Sequence, residues 1–514
     1  MSYLQEPMKL HSNKKLWEGM FLLLAAFGVL LFASRSSFLY PCNDWNDANS
    51  YFSVGKALFN GKMPYRDVFD QKGMYLYFLY GLAYLVSHTT FLGVFILEVI
   101  LAVFDLWGFF RILQLYVKRS TALFLSPLVL AAAFCSDSFY WGGSAEEVCF
   151  PFLVWGFYLS LDYFKNQYPQ RTMSRKTLFF GGLLAGMVAN IKFTVLGFFF
   201  AWMMCVAFAF LVKKDLWGAV KACLVFLLGM AVPFVPWLIY FGVNHGLYEW
   251  YWGYVYINVF VYSDLNGEGP TLYERVYTLS KLLYWLIRTN FVYFVFVILG
   301  VLWQFFGRKK KWLERFNLFA LCFFLFLGIY IGGAHLPYYA LPLSVFGVLG
   351  FALLGKGMEW ASGRLLAERK VKLCPVLPGA LSLAASVGIV FGLSMNIPHM
   401  SEKKEDIFLY QFKEIVEQTE DPTLLNISCL DAGLYTVCDI VPTCRWFQTQ
   451  TLHIDDVLRD QEQYIREGRT DYVLARDEYP AVIEERYELV AQAPWNQGEL
   501  EFTYYLFRLK ELSL

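Results

Sequence analysis

Apolar stretches long enough to cross a bilayer recur from residue 17 to residue 395, and they restrict the fold more than any other feature of the chain. About 20 apolar residues in a helix span the roughly 30 Å hydrocarbon core. Inside that core each backbone N–H and C=O must find its partner within the protein, and a continuous helix provides one for nearly all of them. The sequence predicts about eleven such helices, over 17–37, 91–117, 120–135, 147–164, 177–191, 194–212, 219–241, 290–307, 316–333, 338–355 and 375–396. Hydrophobic residues make up 57% of the 514 and charged residues only 17%, outside the range of water-soluble domains. The expected class is therefore a polytopic α-helical membrane protein.

Lys plus Arg and Asp plus Glu number 43 each, so net charge gives no reason to expect a nucleic acid partner. The placement of the basic residues is more informative. Lys9, Lys14 and Lys15 precede the first stretch, Lys118 and Arg119 follow the second, and Lys165, Arg171, Arg175 and Lys176 follow the fourth. Lys213 and Lys214 follow the sixth, Arg308 to Lys311 and Arg315 the eighth, and Lys356, Arg364, Arg369, Lys370 and Lys372 the tenth. Positively charged short loops stay in the cytoplasm. With an odd number of spans, the N-terminus is expected in the cytoplasm and the tail outside, in a multi-pass protein of the cell membrane. The first stretch has no small-residue cleavage site and reads as a retained anchor.

After residue 397 the charge rises, and short strand-like runs alternate with polar helical ones. Two domains are expected: a membrane module over 1–397 and an extracytoplasmic α/β domain over 398–514. In the tail, helices are predicted over 405–419 and near 460, with strands at LLNISCL, DYVLARD, YELVAQ and FTYYLFRLK. Two outer segments, 38–90 and 242–289, are long enough to carry function. The second is dense in Tyr and Trp, which suits anchoring at the membrane interface and also suits a lipid or sugar groove. The ten cysteines show no metal-ligand spacing, and Cys438 and Cys444 could form a disulfide outside the membrane.

The segment DWNDANSYFSVGKALFNGKMPYRDVFDQKG, 44–73, brings Asp44, Asp47, Asp67 and Asp70 close to the outer surface together with Arg66 and Lys72. A carboxylate there could act as general base on a hydroxyl while a cation neutralises a departing phosphate. The same residues also suit a solvated loop with internal ion pairs. Further candidates are Glu146 and Glu147 in GGSAEE, which equally suit a helix N-terminus. Lys192 ends GGLLAGMVANIK and could hold a lipid phosphate or pair with Glu98 or Asp105. His335 and Tyr338 lie in GGAHLPYYALPL, where the histidine could also serve as a helix cap.

The order Asp47, Tyr51, Gly55, Gly61, Pro64, Tyr65, Asp67, Asp70, Lys72, Gly73 resembles the first extracytoplasmic loop of bacterial GT-C glycosyltransferases, the protein O-mannosyltransferases and lipid A aminoarabinose transferases. Those enzymes carry an acidic residue, an aromatic four positions later and then Lys-Pro-Pro or Lys-Gly-Pro. This chain has Lys-Gly-Met at 72–74, and Ala48 follows Asp47 where the mannosyltransferases have an acidic pair. The resemblance runs through 17–345 and implies a GT-C-like fold. It further implies a polyprenyl-phosphate-linked sugar as donor, delivered by the membrane lipid phase, and an envelope glycan, lipid or protein as acceptor. Asp47 would be the base of an inverting transfer, with Asp44 its nearest competitor. Lys72, and with it Arg66, Lys192, His335 and Tyr338, would bind the donor phosphate, supported by Glu146, Glu147, Asp67 and Asp70. No cofactor or metal ligand set is implied, though a divalent cation stays open. A transporter or flippase of lipid-linked sugars is the alternative, and a non-catalytic scaffold displaying the tail is a third reading.

Overall fold

In the computed structural model of the chain, which describes residues 6–261, 271–307, 311–333, 335–365, 376–450, 454–497 and 500–510, a helix stands in each apolar stretch. Along the chain the helices, including several between those stretches, are α1 (Glu6–Ala33), α2 (Asn46–Phe59), α3 (Met74–Tyr84), α4 (Leu92–Gln114), α5 (Arg119–Phe134), α6 (Ala145–Asp162), α7 (Arg175–Ala189) and α8 (Leu196–Val212). There follow α9 (Leu216–Ala231), α10 (Val235–Val243), α11 (Leu247–Trp250), α12 (Leu272–Thr289), α13 (Phe291–Phe306), α14 (Trp312–Tyr330), α15 (Val348–Leu365) and α16 (Val376–Leu393). The tail adds α17 (Phe408–Val416), β1 (Leu424–Ile427), α18 (Leu434–Val437), α19 (Asp455–Glu467), β2 (Tyr472–Arg476), α20 (Val482–Arg486), β3 (Tyr487–Gln497) and β4 (Leu500–Leu509).

Among the described residues, 7 helices are long and apolar enough to cross a membrane, or up to 8 if α12 and α13 form one bent span. The stretches expected at 120–135, 147–164 and 177–191 hold helices of 16, 18 and 15 residues. The chain is thus a multi-pass membrane protein whose shorter helices lie at or below the usual spanning length. Arg308, Lys309, Lys310, Arg369, Lys370, Lys372 and Cys374 lie outside the described residues, as does 262–270 of the second outer segment.

The chain divides into two compact units. The first comprises 1–34, 98–234 and 270–397. Its glycines let helix backbones touch, as small residues do in membrane helix pairs. On α7, a Cβ at Gly182 would lie 2.0 Å from the Phe226 carbonyl oxygen, and on α9 one at Gly229 would lie 2.1 Å from that of Phe179. The small-residue run before Lys192 is therefore a packing face. Amphipathic α12, opened by a capping box between Thr271 and Glu274, meets α13 at a bend of 112°.

The second unit comprises 35–97, 235–269 and 398–514. Its sheet has the order β1-β2-β4-β3, with β1 parallel to β2 and the other pairs antiparallel. The expected tail helices and strands are all present. Leu425, Ile427, Val473 and Phe507 of the sheet bury against Ile465 of α19 and Ile483 of α20. A second core joins Phe69 of the first outer segment, Ile257 of the middle one and Trp446 and Val457 of the tail. The rings of Phe69 and Trp446 are 4.7 Å apart, and Phe69 N–H donates to the Arg445 carbonyl at 2.9 Å. Three segments distant in sequence thus fold as one body. Cys438 and Cys444 are both free thiols, so the disulfide that their spacing allowed is not formed.

Gly55 shows why the first segment needs a residue without a side chain. A Cβ there would lie 2.6 Å from Gly81 N and 2.7 Å from the Tyr77 carbonyl oxygen, where α2 crosses α3. Gly55→Ala is expected to force these helices apart and to destabilise the second unit by about 1–3 kcal/mol. The check is hydrogen exchange in α2 and α3, and unchanged protection there would refute the close crossing.

Candidate active site

The acidic segment folds into a clamp around Lys72. Asp47 lies in the first turn of α2, half-buried, and its Oδ2 accepts from the Tyr51 hydroxyl at 3.2 Å. Four residues separate the two, about one helical turn, so they share a face of α2. Tyr51 is itself buried, packed edge-on against Tyr80 at 5.6 Å. The Lys72 ammonium stands over the same Tyr51 ring, 5.9 Å from its centre, a cation–π geometry. Tyr51 therefore touches both the expected base and the expected phosphate ligand.

Two further tyrosines fix the Lys72 backbone. The Tyr65 hydroxyl donates to Lys72 O at 2.6 Å, while Lys72 N–H donates to the Tyr77 oxygen at 2.7 Å. Tyr77 in turn donates to Asp70 Oδ2 at 2.8 Å. Burial pushes the Asp70 carboxyl up from its ordinary range, while Lys72 and the Tyr77 hydroxyl pull it back. Tyr65 is fully buried with φ 70, a backbone region costly for an aromatic residue and tolerated where the surroundings enforce it. Asp70 thus acts on Lys72 through Tyr77, and Asp67 closes the turn by accepting from Met63 N–H at 2.7 Å. Arg66 is spent on Asp67 through bonds of 2.8 and 3.0 Å, which hold that carboxyl below its usual range.

Asp44 is placed differently. Its side chain is 2% exposed, with Arg35 Nη1 2.9 Å from Oδ1 and the Trp495 indole N–H 2.8 Å from Oδ2. Both of its oxygens are engaged in a buried network that reaches β3 of the tail.

The remaining candidates lie in the first unit. Lys192, just beyond the C-terminal end of α7, forms a buried ion pair with Glu146 rather than with Glu98 or Asp105. Its ammonium stands 3.6 Å from the centre of the Tyr339 ring and 5.5 Å from that of Tyr338. Glu147 belongs to the start of α6: its N–H donates to the capping Ser144 hydroxyl at 3.0 Å, and its Oε2 accepts from Gly143 N–H at 2.7 Å. Glu98 takes the Ser34 hydroxyl at 2.8 Å. His335 is exposed, with its ring nitrogen 3.5 Å from the Gly333 carbonyl.

The structure thus gathers Asp47, Asp70 and Lys72 in one cluster of the second unit, and Glu146, Lys192 and Tyr338 in another of the first. Sequence reasoning missed Tyr339, Tyr77 and Arg35. Tyr339 carried a usable signal, since it adjoins Tyr338 in a motif already singled out. Among the described residues, no group of 3 or more His, Cys, Asp or Glu is arranged to hold a metal ion. The divalent cation left open by the sequence therefore finds no ready ligand set among them.

A buried acid also ties α2 to the tail. Asp431 accepts from the Ser53 hydroxyl and from Gly433 N–H at 2.9 Å, and burial pushes its carboxyl up to about 6. A carboxyl whose folded value exceeds its unfolded value stabilises the fold while protonated, and that contribution fades as pH rises from the ordinary carboxylate value through the folded one. Stability of the second unit should therefore fall between about pH 4 and pH 6, by roughly 3 kcal/mol from this site. Asp431→Asn should flatten that slope, read by denaturant unfolding at a series of pH values, and an unchanged slope would reject the assignment.

No family model matches the chain, and no curated protein matches it. Solved structures do. ArnT from Cupriavidus metallidurans in the apo state aligns with a TM-score of 0.62 at 12% identity, over 96% of this chain and 98% of that one. ArnT from Cupriavidus metallidurans bound to undecaprenyl phosphate aligns with a TM-score of 0.56 at 13% identity, over 95% of this chain and 98% of that one. At such identities the likeness is one of fold: the chain has an ArnT-like GT-C fold with a small C-terminal sheet domain.

Proposed function

We propose that this chain is a membrane glycosyltransferase that moves a sugar from a polyprenyl-phosphate-linked donor to an acceptor outside the cytoplasm. The observation that carries this reading is the Asp47–Tyr51–Lys72 arrangement, a carboxylate and an ammonium bridged by one buried ring. The fold adds support, since one protein that shares it has been solved with undecaprenyl phosphate bound. The basic clusters support an N-terminus in the cytoplasm and a tail outside.

In the proposed reaction Asp47 accepts the proton of the acceptor hydroxyl as its oxygen attacks the anomeric carbon. The carbon–oxygen bond to the donor phosphate breaks on the opposite face, giving inversion, and the electron pair leaves with the polyprenyl phosphate. Lys72 stabilises the charge gathering on that phosphate. The tyrosine clamp fixes the Lys72 backbone beforehand, so little reorganisation falls within the reaction itself. No step is routed through a metal ion. In the first unit, an apolar cavity of about 400 Å³ lined by Phe294, Val297, Phe323 and Phe346 suits part of a prenyl chain.

The test is reconstitution of the purified protein in vesicles with a series of undecaprenyl-phosphate sugars and candidate envelope acceptors. The expected result is release of undecaprenyl phosphate with a glycosylated acceptor. Movement of intact lipid-linked sugar between leaflets without release of lipid phosphate would reject transfer in favour of the transporter alternative.

A further inference from the structure

We propose that a polar cavity in the second unit, separate from the Asp47–Lys72 cluster, is a binding site for a neutral saccharide. The cavity measures about 390 Å³, within the range of small-molecule sites. Asn43, Asn49 and Thr436 form buried parts of its lining, and the rings of Tyr40, Phe91 and Tyr410 give it aromatic walls. Hydroxyl and amide oxygens beside aromatic rings match both surfaces of a sugar, since those oxygens keep lone pairs that can accept from sugar hydroxyls and the C–H faces of a pyranose pack on rings.

The geometry also indicates that this lining is built in advance. The Asn49 amide donates to the carbonyls of Asn43 and Trp45 at 2.9 and 3.0 Å, and its Oδ1 accepts from the Thr436 hydroxyl at 2.8 Å. The Tyr410 hydroxyl donates to the Pro41 carbonyl at 2.8 Å, holding that ring against the strap 36–43. Charge favours a neutral ligand over an anion. Arg35, which lines the cavity, is paired with Asp44 at 2.9 Å and lies 3.5 Å from Glu402. Lys404 is the other cation of the lining, and it lies exposed with its ammonium 5.3 Å from the centre of the Tyr410 ring.

Asn49 lies two residues beyond Asp47 on α2, so the two side chains leave that helix on different faces. A saccharide held beside Asn49 would be a non-reacting part of the acceptor, gripped from the other face of the helix that carries the base. That acceptor role rests on the transferase reading, whereas saccharide binding does not.

The experiment measures equilibrium binding to the full chain in detergent, without donor, by saturation-transfer NMR. The probes are methyl glucoside, methyl mannoside and N-acetylglucosamine, with glycerol 3-phosphate as the anionic comparison. At least one neutral probe is expected to bind, and Lys404→Trp, a bulky residue on the exposed part of the lining, should weaken it by about tenfold or more. Tyr410→Ala should do the same by removing a wall, whereas Asp47→Asn should leave binding unchanged. The proposal is overturned if no neutral probe binds, if glycerol 3-phosphate is preferred, if Lys404→Trp has no effect, or if Asp47→Asn abolishes binding. Unsubstituted protein that binds a saccharide yet transfers no sugar from any lipid-linked donor would count against the transferase reading alone.

Discussion

Asp47→Asn is expected to slow sugar transfer by about 10²–10⁴-fold, the usual contribution of a general base. The substitution is nearly isosteric, and an amide oxygen can still accept from the Tyr51 hydroxyl that now reaches Asp47 Oδ2 at 3.2 Å. It cannot take a proton at neutral pH. Donor binding should therefore survive, placing the loss in kcat rather than KM. The measurement is release of undecaprenyl phosphate at saturating donor, with retention of donor checked separately. Activity within about threefold of wild type, far short of a general base's contribution, would remove Asp47 from that role. Asp44→Asn is a poor substitute for this experiment, because Asp44 belongs to a buried ion pair and its loss acts on the fold.

That ion pair gives the second large effect. Arg35→Met is expected to destabilise the second unit by about 3–5 kcal/mol, because it leaves the Asp44 charge without its cation in a site closed to water. The two side chains are 1% and 2% exposed, and the Trp495 indole, 2.8 Å from the carboxylate, is an uncharged donor that cannot replace the guanidinium. The double substitution Arg35→Met with Asp44→Asn removes both charges and should recover most of the loss, giving a coupling energy well above that of a surface pair. Hydrogen exchange in β3 and β4 under increasing urea reports this unit without requiring the whole chain to unfold in two states. A loss below about 1 kcal/mol, the size of an exposed pair, would mean that water reaches the carboxylate and that the site is not closed.

These two aspartates show how far the sequence can be read. Asp44 and Asp47 sit three residues apart in the same polar segment, and either could have served as base. The resemblance favoured Asp47, through the aromatic four positions after it, with Asp44 as its nearest competitor, but residue type and spacing do not tell what each carboxylate touches. That Asp44 is paired depends on Arg35, ahead of that segment, and Trp495, near the chain's other end, neither of which has any local signature. Lys72 was identifiable as a candidate cation and Tyr51 and Tyr65 stood in the same motif, but Tyr77 and the way the three rings position Lys72 were not, because their bonds and ring contact form only once α2, the loop after it and α3 have packed. Lys192 shows the same limit. Its cost in an apolar setting pointed to a partner, with Glu98 and Asp105 as the nearest guesses, yet α6 supplied Glu146.

The sequence by itself determined the class of protein. Apolar runs must become helices wherever water is absent, basic loops indicate an orientation, and alternation in the tail marks strands, since each signal is local and needs no distant contact. Only the tertiary structure decided that segments 35–97, 235–269 and 398–514 form one unit, joined through Phe69, Ile257, Trp446 and Val457. Burial of such residues reads in sequence as hydrophobicity without an address. Which ring meets which is settled when the chain closes loops of hundreds of residues, and that closure also leaves Asp47 half-buried and Asp44 sealed against Arg35.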